Sequence, residues 1–329
     1  MNKKIAEKIP KKNNKKKNKW EKCAIYRMSD IEDGISSQDR VLRRLYGTKI
    51  GRLFLRIIVK SWVSKIFGCL LDTSVSKIAI KPFVEKHNID MSDCVKSSFD
   101  SYNDFFKRKL VADARTLDGT EGGFVSPCDS RLTIYDIDYT STAKFNIKDS
   151  QYDLRQLLRD KRLAQRYKGG KLWLFRLCVD DYHRYIYNVS GMQSGVRRID
   201  GIYHTVNPIA SEYYKIYKEN TREYCLIKTK YAGTILYMEV GALLVGKIEN
   251  RHRKKCKVIK GQEKGNFAFG GSTIILITQK DTVCPLADII SNSSKHIETR
   301  VRQGELVGMI HMDLSLIHIS EPTRRVVIS

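Results

Sequence analysis

At 329 residues and 42% apolar content the chain can bury a sizeable core, and its apolar share is that of a globular protein. Its charge is less ordinary: 60 Lys and Arg against 36 Asp and Glu give a formal +24 and a pI of about 9.6, which points to a polyanionic partner, nucleic acid or an anionic membrane, or to a lysine-rich proteome. The eight cysteines are scattered without CxxC or zinc spacing, and no apolar signal segment opens the chain; reduced thiols, a cytoplasmic setting and no metal site are expected.

In chain order, residues 1–30 are expected to form a basic disordered tail. Its run MNKKIAEKIPKKNNKKKNKWEK can bind anionic lipid or RNA, or simply be solvated. Residues 31–115 are expected to be helical and membrane-associating. Between 41 and 72, Leu42, Leu45, Tyr46, Ile50, Leu53, Phe54, Ile57, Ile58, Trp62, Ile66 and Leu70 recur at helical spacing, interrupted by Arg43, Arg44, Lys49, Arg52, Arg56, Lys60 and Lys65. No charge-free run reaches the roughly 18 residues that a spanning helix needs. The pattern reads as a basic amphipathic helix, or two broken near Gly47 and Gly51. Such a helix either lies in the interface of an anionic membrane or docks its apolar face on the protein's own core. Residues 76–115 read as short helices, with Ser101 or Asn103 capping one that carries Phe105 and Phe106.

From 116 the character changes to strand-like runs separated by Gly, Asn and Asp turns, with one helical interlude, DLRQLLRDKRLAQRYK. Helices first and strands after predict an α+β fold: N-terminal amphipathic helices followed by a β-rich catalytic core over 116–312.

Four places in that core carry chemistry. Asp129 follows the turn Ser126-Pro127-Cys128 and reads as a capping Asp or a member of a charge relay. His183, in DDYHRY, lies between two apolar runs, where neighbours can tune an imidazole or simply hold it. His204 holds a similar place in YHTVNP. The stretch KGQEKGNFAFGGSTIILIT leads through Gly270-Gly271 to Ser272 and then to the apolar, mostly β-branched run Ile274, Ile275, Leu276, Ile277, which predicts a buried strand. The glycines leave the Gly271 carbonyl open to close approach, so Ser272 could attack the peptide bond on its own N-terminal side. The same residues would also serve as a bulge at a strand start. Asp, His and Ser in one β core are the residue set of a nucleophilic triad, although no GxSxG elbow is present.

Taken together, NDFFKRKL, VSPCDS, FRLCVDDYHRY, HTVNPIA, NTREY, MEVGALLVGKI, KGQEKGNFAFGGSTIILI and NSSKHIETRVRQGELVG resemble, in order, the phosphatidylserine decarboxylases of clostridia-like bacteria. The resemblance implies a proenzyme that cuts itself between Gly271 and Ser272. Ser272 would be the nucleophile, and Asp129 and a histidine would activate it. Ser272 would become a covalent pyruvoyl group, the cofactor. It would form a Schiff base with phosphatidylserine and release carbon dioxide and phosphatidylethanolamine, with His183 as proton donor. The implied partners are phosphatidylserine, an anionic membrane surface and the large and small chains of the cleavage, with no nucleic acid. The implied location is peripheral, on the cytoplasmic face of the cell membrane.

Two positions depart from the family's pattern. Ser130 stands where many members have Gly, and Ile186 stands where the YHR-x-H motif has its second His. His204 is therefore expected as the base of self-cleavage. The alternatives are a processing-defective pseudoenzyme and a basic, non-catalytic membrane- or RNA-binding protein. After Met312 the stretch 313–329 matches nothing in the family and resembles translated adapter sequence, so it is set aside as non-native.

Overall fold

The computed structural model describes residues 37–147, 150–211, 213–243, 247–268 and 272–312. The expected tail at 1–30 and the stretch 313–329 lie outside the described residues, as do Gly270 and Gly271.

Three helices open the described chain: Ser37–Gly47 (α1), Lys49–Ile58 (α2) and Ser61–Leu71 (α3). The break falls at Thr48, whose hydroxyl accepts the Gly51 N–H at 3.0 Å and caps α2. Gly51, expected near a break, lies inside α2, and it is a glycine there because a Cβ would stand 2.4 Å from the Leu45 carbonyl oxygen. Tyr46, Leu55 and Val59 face inward and are buried, while Ile50, Phe54, Trp62, Ile66 and Leu70 are all more than half exposed. The apolar positions thus divide between two faces, one docked on the core and one open. Among the described residues no helix is long and apolar enough to cross a membrane.

Ile80–Lys86 (α4) and Tyr102–Phe106 (α5) follow, and Ser101 caps α5 by accepting the Asp104 N–H at 3.1 Å. Tyr102, Phe105 and Phe106 form a small core with Leu71 and Phe83. The helical interlude becomes Leu154–Leu158 (α6) and Lys161–Arg166 (α7), each capped by an aspartate, Asp153 and Asp160. Arg159, left-handed at φ 49°, divides them. Pro208–Ser211 (α8), Ile216–Glu219 (α9) and Ala287–Ser294 (α10) complete the helices.

The strands are Gly123–Val125 (β1), Ser130–Asp136 (β2), Lys144–Ile147 (β3), Ser150–Asp153 (β4), Lys171–Leu177 (β5) and Arg184–Ile186 (β6). Gly191–Gln193 (β7), Arg197–Ile199 (β8), Arg222–Lys228 (β9), Thr234–Val240 (β10), Ile248–Asn250 (β11) and Cys256–Val258 (β12) come next. Glu263–Phe267 (β13), Ser272–Thr278 (β14), Val283–Pro285 (β15), Thr299–Val301 (β16) and Leu306–Ile310 (β17) close the chain. A nine-stranded sheet runs β12-β7-β9-β10-β14-β5-β2-β16, with β8 on β9, and every pairing is antiparallel. Two smaller sheets, β1-β17-β15 and β11-β13-β6, lie beside it.

Strict alternation assigns the large sheet's two faces. Leu174, Met238, Ile275 and Ile277 join a core with Tyr46, Leu55, Leu157, Tyr152 and Ala164, so helices and the β3-β4 hairpin cover that face. Trp173, Phe175, Leu177, Tyr237, Ile274 and Leu276 join a second core with Phe124, Tyr185, Ile248, Phe267 and Ile289, so the small sheets and α10 cover the other. A strand covered on both faces has no reason to alternate polar with apolar, which is why β14 is a continuous apolar run. Burying each such side chain contributes about 1.5–3 kcal/mol. The expected α+β architecture, helices first and a β-rich core after, is the one observed.

Candidate active site

Ser272 opens β14, the strand held between β10 and β5. It pairs with Leu177 and precedes Ile274 by two positions, so it shares their face, the one covered by the small sheets. Ser272 is completely buried, and its hydroxyl has no hydrogen-bond partner among the described residues. An unsatisfied buried hydroxyl costs about 1–3 kcal/mol, so this position asks for an explanation other than stability.

β13, which precedes Ser272 in the chain, belongs to the small sheet and pairs with β6. The Phe267 N–H extends that ladder to the His183 carbonyl at 3.0 Å. His183 is fully buried, its ring centroid 4.2 Å from that of Phe106. Its Nδ1 lies 2.8 Å from the Asp181 carbonyl oxygen. A carbonyl only accepts, so Nδ1 carries the proton, and in the neutral ring Nε2 holds the lone pair. The backbone of Asp181 therefore does for His183 what a relay carboxylate does elsewhere: it fixes tautomer and ring plane. Nothing in the sequence pattern pointed to that carbonyl.

Asp129 is buried and committed. Arg115 grips it with Nε at 2.9 Å from Oδ1 and Nη2 at 2.5 Å from Oδ2, and Oδ1 also accepts the Gln303 N–H at 2.8 Å. The turn that carries it is tied to β6, which directly follows His183. The Ile186 N–H donates to the Pro127 carbonyl at 2.9 Å, and the Gln303 side-chain amide donates to the Arg184 carbonyl at 2.8 Å. The Asp181 carboxyl is pushed up to about 7 by burial and by the charges of Asp180 and Asp129.

His204 lies in different company. Its ring stacks on Tyr214 at 4.4 Å, Nδ1 is 3.3 Å from the Tyr46 hydroxyl, and Nε2 is 3.7 Å from Glu219 Oε2. Burial lowers its pKa to about 4. Tyr46 and the residues around it belong to the helix-covered core, the face opposite to that of Ser272. The backbone of His204 still reaches the sheet end where Ser272 lies. The Asn220 side-chain amide donates to both the His204 and the Gly241 carbonyls at 2.8 Å, and Gly241 follows Val240, the residue next to Val240's partner Thr273 being Ser272.

A cleft of about 650 Å³ lies between α3 and the core, and its lining includes Lys65, Asn103, Lys107, Arg198, Lys247 and Ala268. Asn103 and Lys107 flank Phe106, and Ala268 follows Phe267, so the cleft borders the corner that holds His183. Beneath that corner, on the face of Ser272, Lys264 and Glu239 form a fully buried ion pair, with Asn250 Oδ1 2.7 Å from Lys264 Nζ. Glu239 pairs with Ile274, the next residue after Ser272 on the same face. In sequence Lys264 sits in a stretch that reads as a charged turn; no periodicity reveals its burial.

A family model described as phosphatidylserine decarboxylase matches residues 102–314. The chain is 42% identical over 268 residues to phosphatidylserine decarboxylase proenzyme 2 of Clostridium acetobutylicum, covering 81% of this chain and 91% of the relative. It is 40% identical over 268 residues to the phosphatidylserine decarboxylase proenzyme of Clostridium perfringens, covering 80% and 90%. It is 40% identical over 273 residues to that of Ruminiclostridium cellulolyticum, covering 82% and 91%. The chain is thus a decarboxylase, of a kind made as a proenzyme. It belongs to the phosphatidylserine decarboxylase family.

Proposed function

We propose that this chain cuts itself between Gly271 and Ser272 and then converts phosphatidylserine to phosphatidylethanolamine and carbon dioxide. The observation that carries this reading is the buried hydroxyl of Ser272 at the head of a central strand, without a hydrogen-bond partner among the described residues. In the cleavage, Ser272 Oγ forms a bond to the Gly271 carbonyl carbon as the peptide C–N bond breaks, and the hydroxyl proton passes to the departing amine. Serine needs a base for this. His183 Nε2 has the tautomer for the task, and strand alternation puts Ser272 on the His183 side of the sheet. His204, neutral at physiological pH, is the second candidate base. Asp129 acts on His183 through the Pro127 and Gln303 contacts that anchor β6. Loss of the Ser272 α proton then releases the Gly271 carboxylate, and water replaces the nitrogen as ammonia.

The pyruvoyl group so made fits the position, because a residue buried between two sheets lies away from bulk water. It supplies an electron sink for the substrate amine. His183 would hold the proton that replaces the lost carboxylate at the α carbon. Family membership favours this reading over a non-catalytic binding protein. The test is a denaturing gel with mass spectrometry: wild type should give a chain ending at Gly271 and a small chain blocked at position 272, and Ser272→Ala one uncut chain. A folded wild type that stays whole would identify a pseudoenzyme.

We also propose that the exposed face of α2 and α3 seats the protein peripherally on the cytoplasmic side of an anionic membrane. Ile50, Phe54, Trp62 and Ile66 would enter the interface while the neighbouring lysines and arginines meet lipid charge, at about 1 kcal/mol each. Vesicle sedimentation should weaken with salt and with Phe54→Ser/Trp62→Ser. Binding that ignores lipid charge and salt would defeat the electrostatic half of the proposal.

A further inference from the structure

The cleft beside His183 has a distribution of charge that the cleavage chemistry does not use. Four basic residues line it, and they are not equivalent. Arg198 is committed, with Nε 2.7 Å from Asp200 and Nη1 3.2 Å from Glu223. Lys65 stands on the α3 wall, whose outer face exposes Trp62, Ile66 and Leu70. Lys107 and Lys247 come from different elements and converge on one carboxylate: Glu249 Oε1 is 2.8 Å from Lys247 Nζ, and Oε2 is 3.8 Å from Lys107 Nζ. Asn266 Nδ2 donates to the same Oε2 at 2.7 Å. Asp72 also lines the cleft and acts on Lys247, so the lining sets four basic residues against two acidic ones, Asp72 and Asp200.

Backbone contacts tie both lysines to segments next to the site, one that ends at Ala268 before Ser272 and one that carries Phe106. The Ala268 N–H donates to the Lys247 carbonyl at 3.1 Å, four positions ahead of Ser272 in the chain. The Lys107 carbonyl accepts Arg184 Nη2 at 2.7 Å, and Lys107 follows Phe106, the residue against the His183 ring. In the serine headgroup of a lipid, only a methylene and an ester oxygen separate phosphorus from the carbon that loses carbon dioxide. A phosphodiester must therefore lie close to any carbon reacting at position 272, and Lys107 and Lys247 are the two lysines of the cleft lining that converge on one carboxylate.

We propose that Lys107 and Lys247 form the subsite that binds the headgroup phosphodiester of the lipid substrate, with α3 as the wall between this subsite and the bilayer. The assignment rests on the decarboxylase reading. Lysine is suited to it as a compact point charge that meets a phosphate without demanding a planar, forked partner.

The experiment uses the full chain carrying Lys107→Gln, Lys247→Gln, both, or Lys247→Arg. Lys247 has a 73% exposed side chain, so at least that replacement leaves packing undisturbed. All variants are expected to cut themselves, since neither lysine belongs to the cleavage chemistry. In neutral detergent micelles, with no anionic lipid but the substrate, the double variant should raise KM about tenfold to a hundredfold while kcat moves far less, and Lys247→Arg should recover most of the loss. Glycerophosphoserine, which has no acyl chains, should compete with substrate in wild type and lose that competition in the double variant. An unchanged KM in the double variant overturns the proposal. Inorganic phosphate competing as well as glycerophosphoserine also overturns it, in favour of a free-phosphate site. Should wild type fail to cleave or decarboxylate, the decarboxylase reading falls separately, and calorimetric titration of glycerophosphoserine into Ser272→Ala, with and without the lysine changes, still decides the subsite. Equal binding by those two proteins would rule it out.

Discussion

Two buried histidines flank one sheet, and their surroundings differ in kind. His183 sits among the small sheets, its Nδ1 proton given to a backbone carbonyl and its ring against Phe106. His204 sits among the helices, wedged between Tyr46 and Tyr214 with its basicity suppressed by burial. Both are hidden from water, so burial alone does not distinguish them. What distinguishes them is that a backbone carbonyl fixes the proton of His183 on Nδ1, whereas His204 meets a tyrosine hydroxyl and a carboxylate.

The largest effect should come from removing each ring in turn. His183→Ala is expected to slow self-cleavage by about 10²–10⁴-fold, the usual contribution of a positioned base, leaving an intact chain on the gel. His204→Ala should fold less stably and still cleave. The opposite pair of results would place the base on the helix-covered side and make His204 the residue that replaces the histidine missing at Ile186.

A second, smaller contrast is electrostatic. Asp181 on the His183 side holds its proton up to about 7, whereas an unfolded aspartate releases it near 4. Between those values the folded state binds more protons, so this group's contribution to stability falls as pH rises. His204 has the reverse sign: folded it titrates at about 4, unfolded near 6.5, so its contribution falls as pH drops through that window. Each pH unit over which the two states differ by a proton is worth about 1.4 kcal/mol, and the two slopes largely cancel in wild type. Asp181→Asn should therefore melt higher than wild type at pH 8 and lose stability steadily toward pH 4. His204→Phe should do the reverse and be most stable near pH 4. Parallel melting curves for wild type and both variants across pH 4–8 would show that neither group is shifted as its surroundings imply.

The contrast also marks where sequence reading stops. Local patterns carried the elements: the apolar run of β14, the amphipathic helices, and a cap at 101 or 103 that the structure gives to Ser101. They did not carry partners brought together from far apart. Asp129 meets the Gln303 backbone across 174 positions, and Arg115, its ion-pair partner, lies in a stretch with no motif of its own. Lys264 reads as solvated because its neighbours are charged, yet β13 turns it inward onto Glu239. Gly51 looked like a helix breaker, when the close passage of the end of α1 is what requires it. In each case the deciding contact depends on the register of strands or the crossing of helices, which no window of neighbouring residues contains.

Ser272 begins a strand bonded on both edges, to β10 and to β5, in the middle of the large sheet. Self-cleavage would sever the covalent connection between the small sheet and this strand without touching either row of bonds. The short product would be captive: to leave, it would have to open two strand edges and empty two hydrophobic cores at once. Maturation would then be irreversible for each molecule, with no exchange of short chains between molecules, and a long chain that lost its companion would present two bare strand edges to whatever it met.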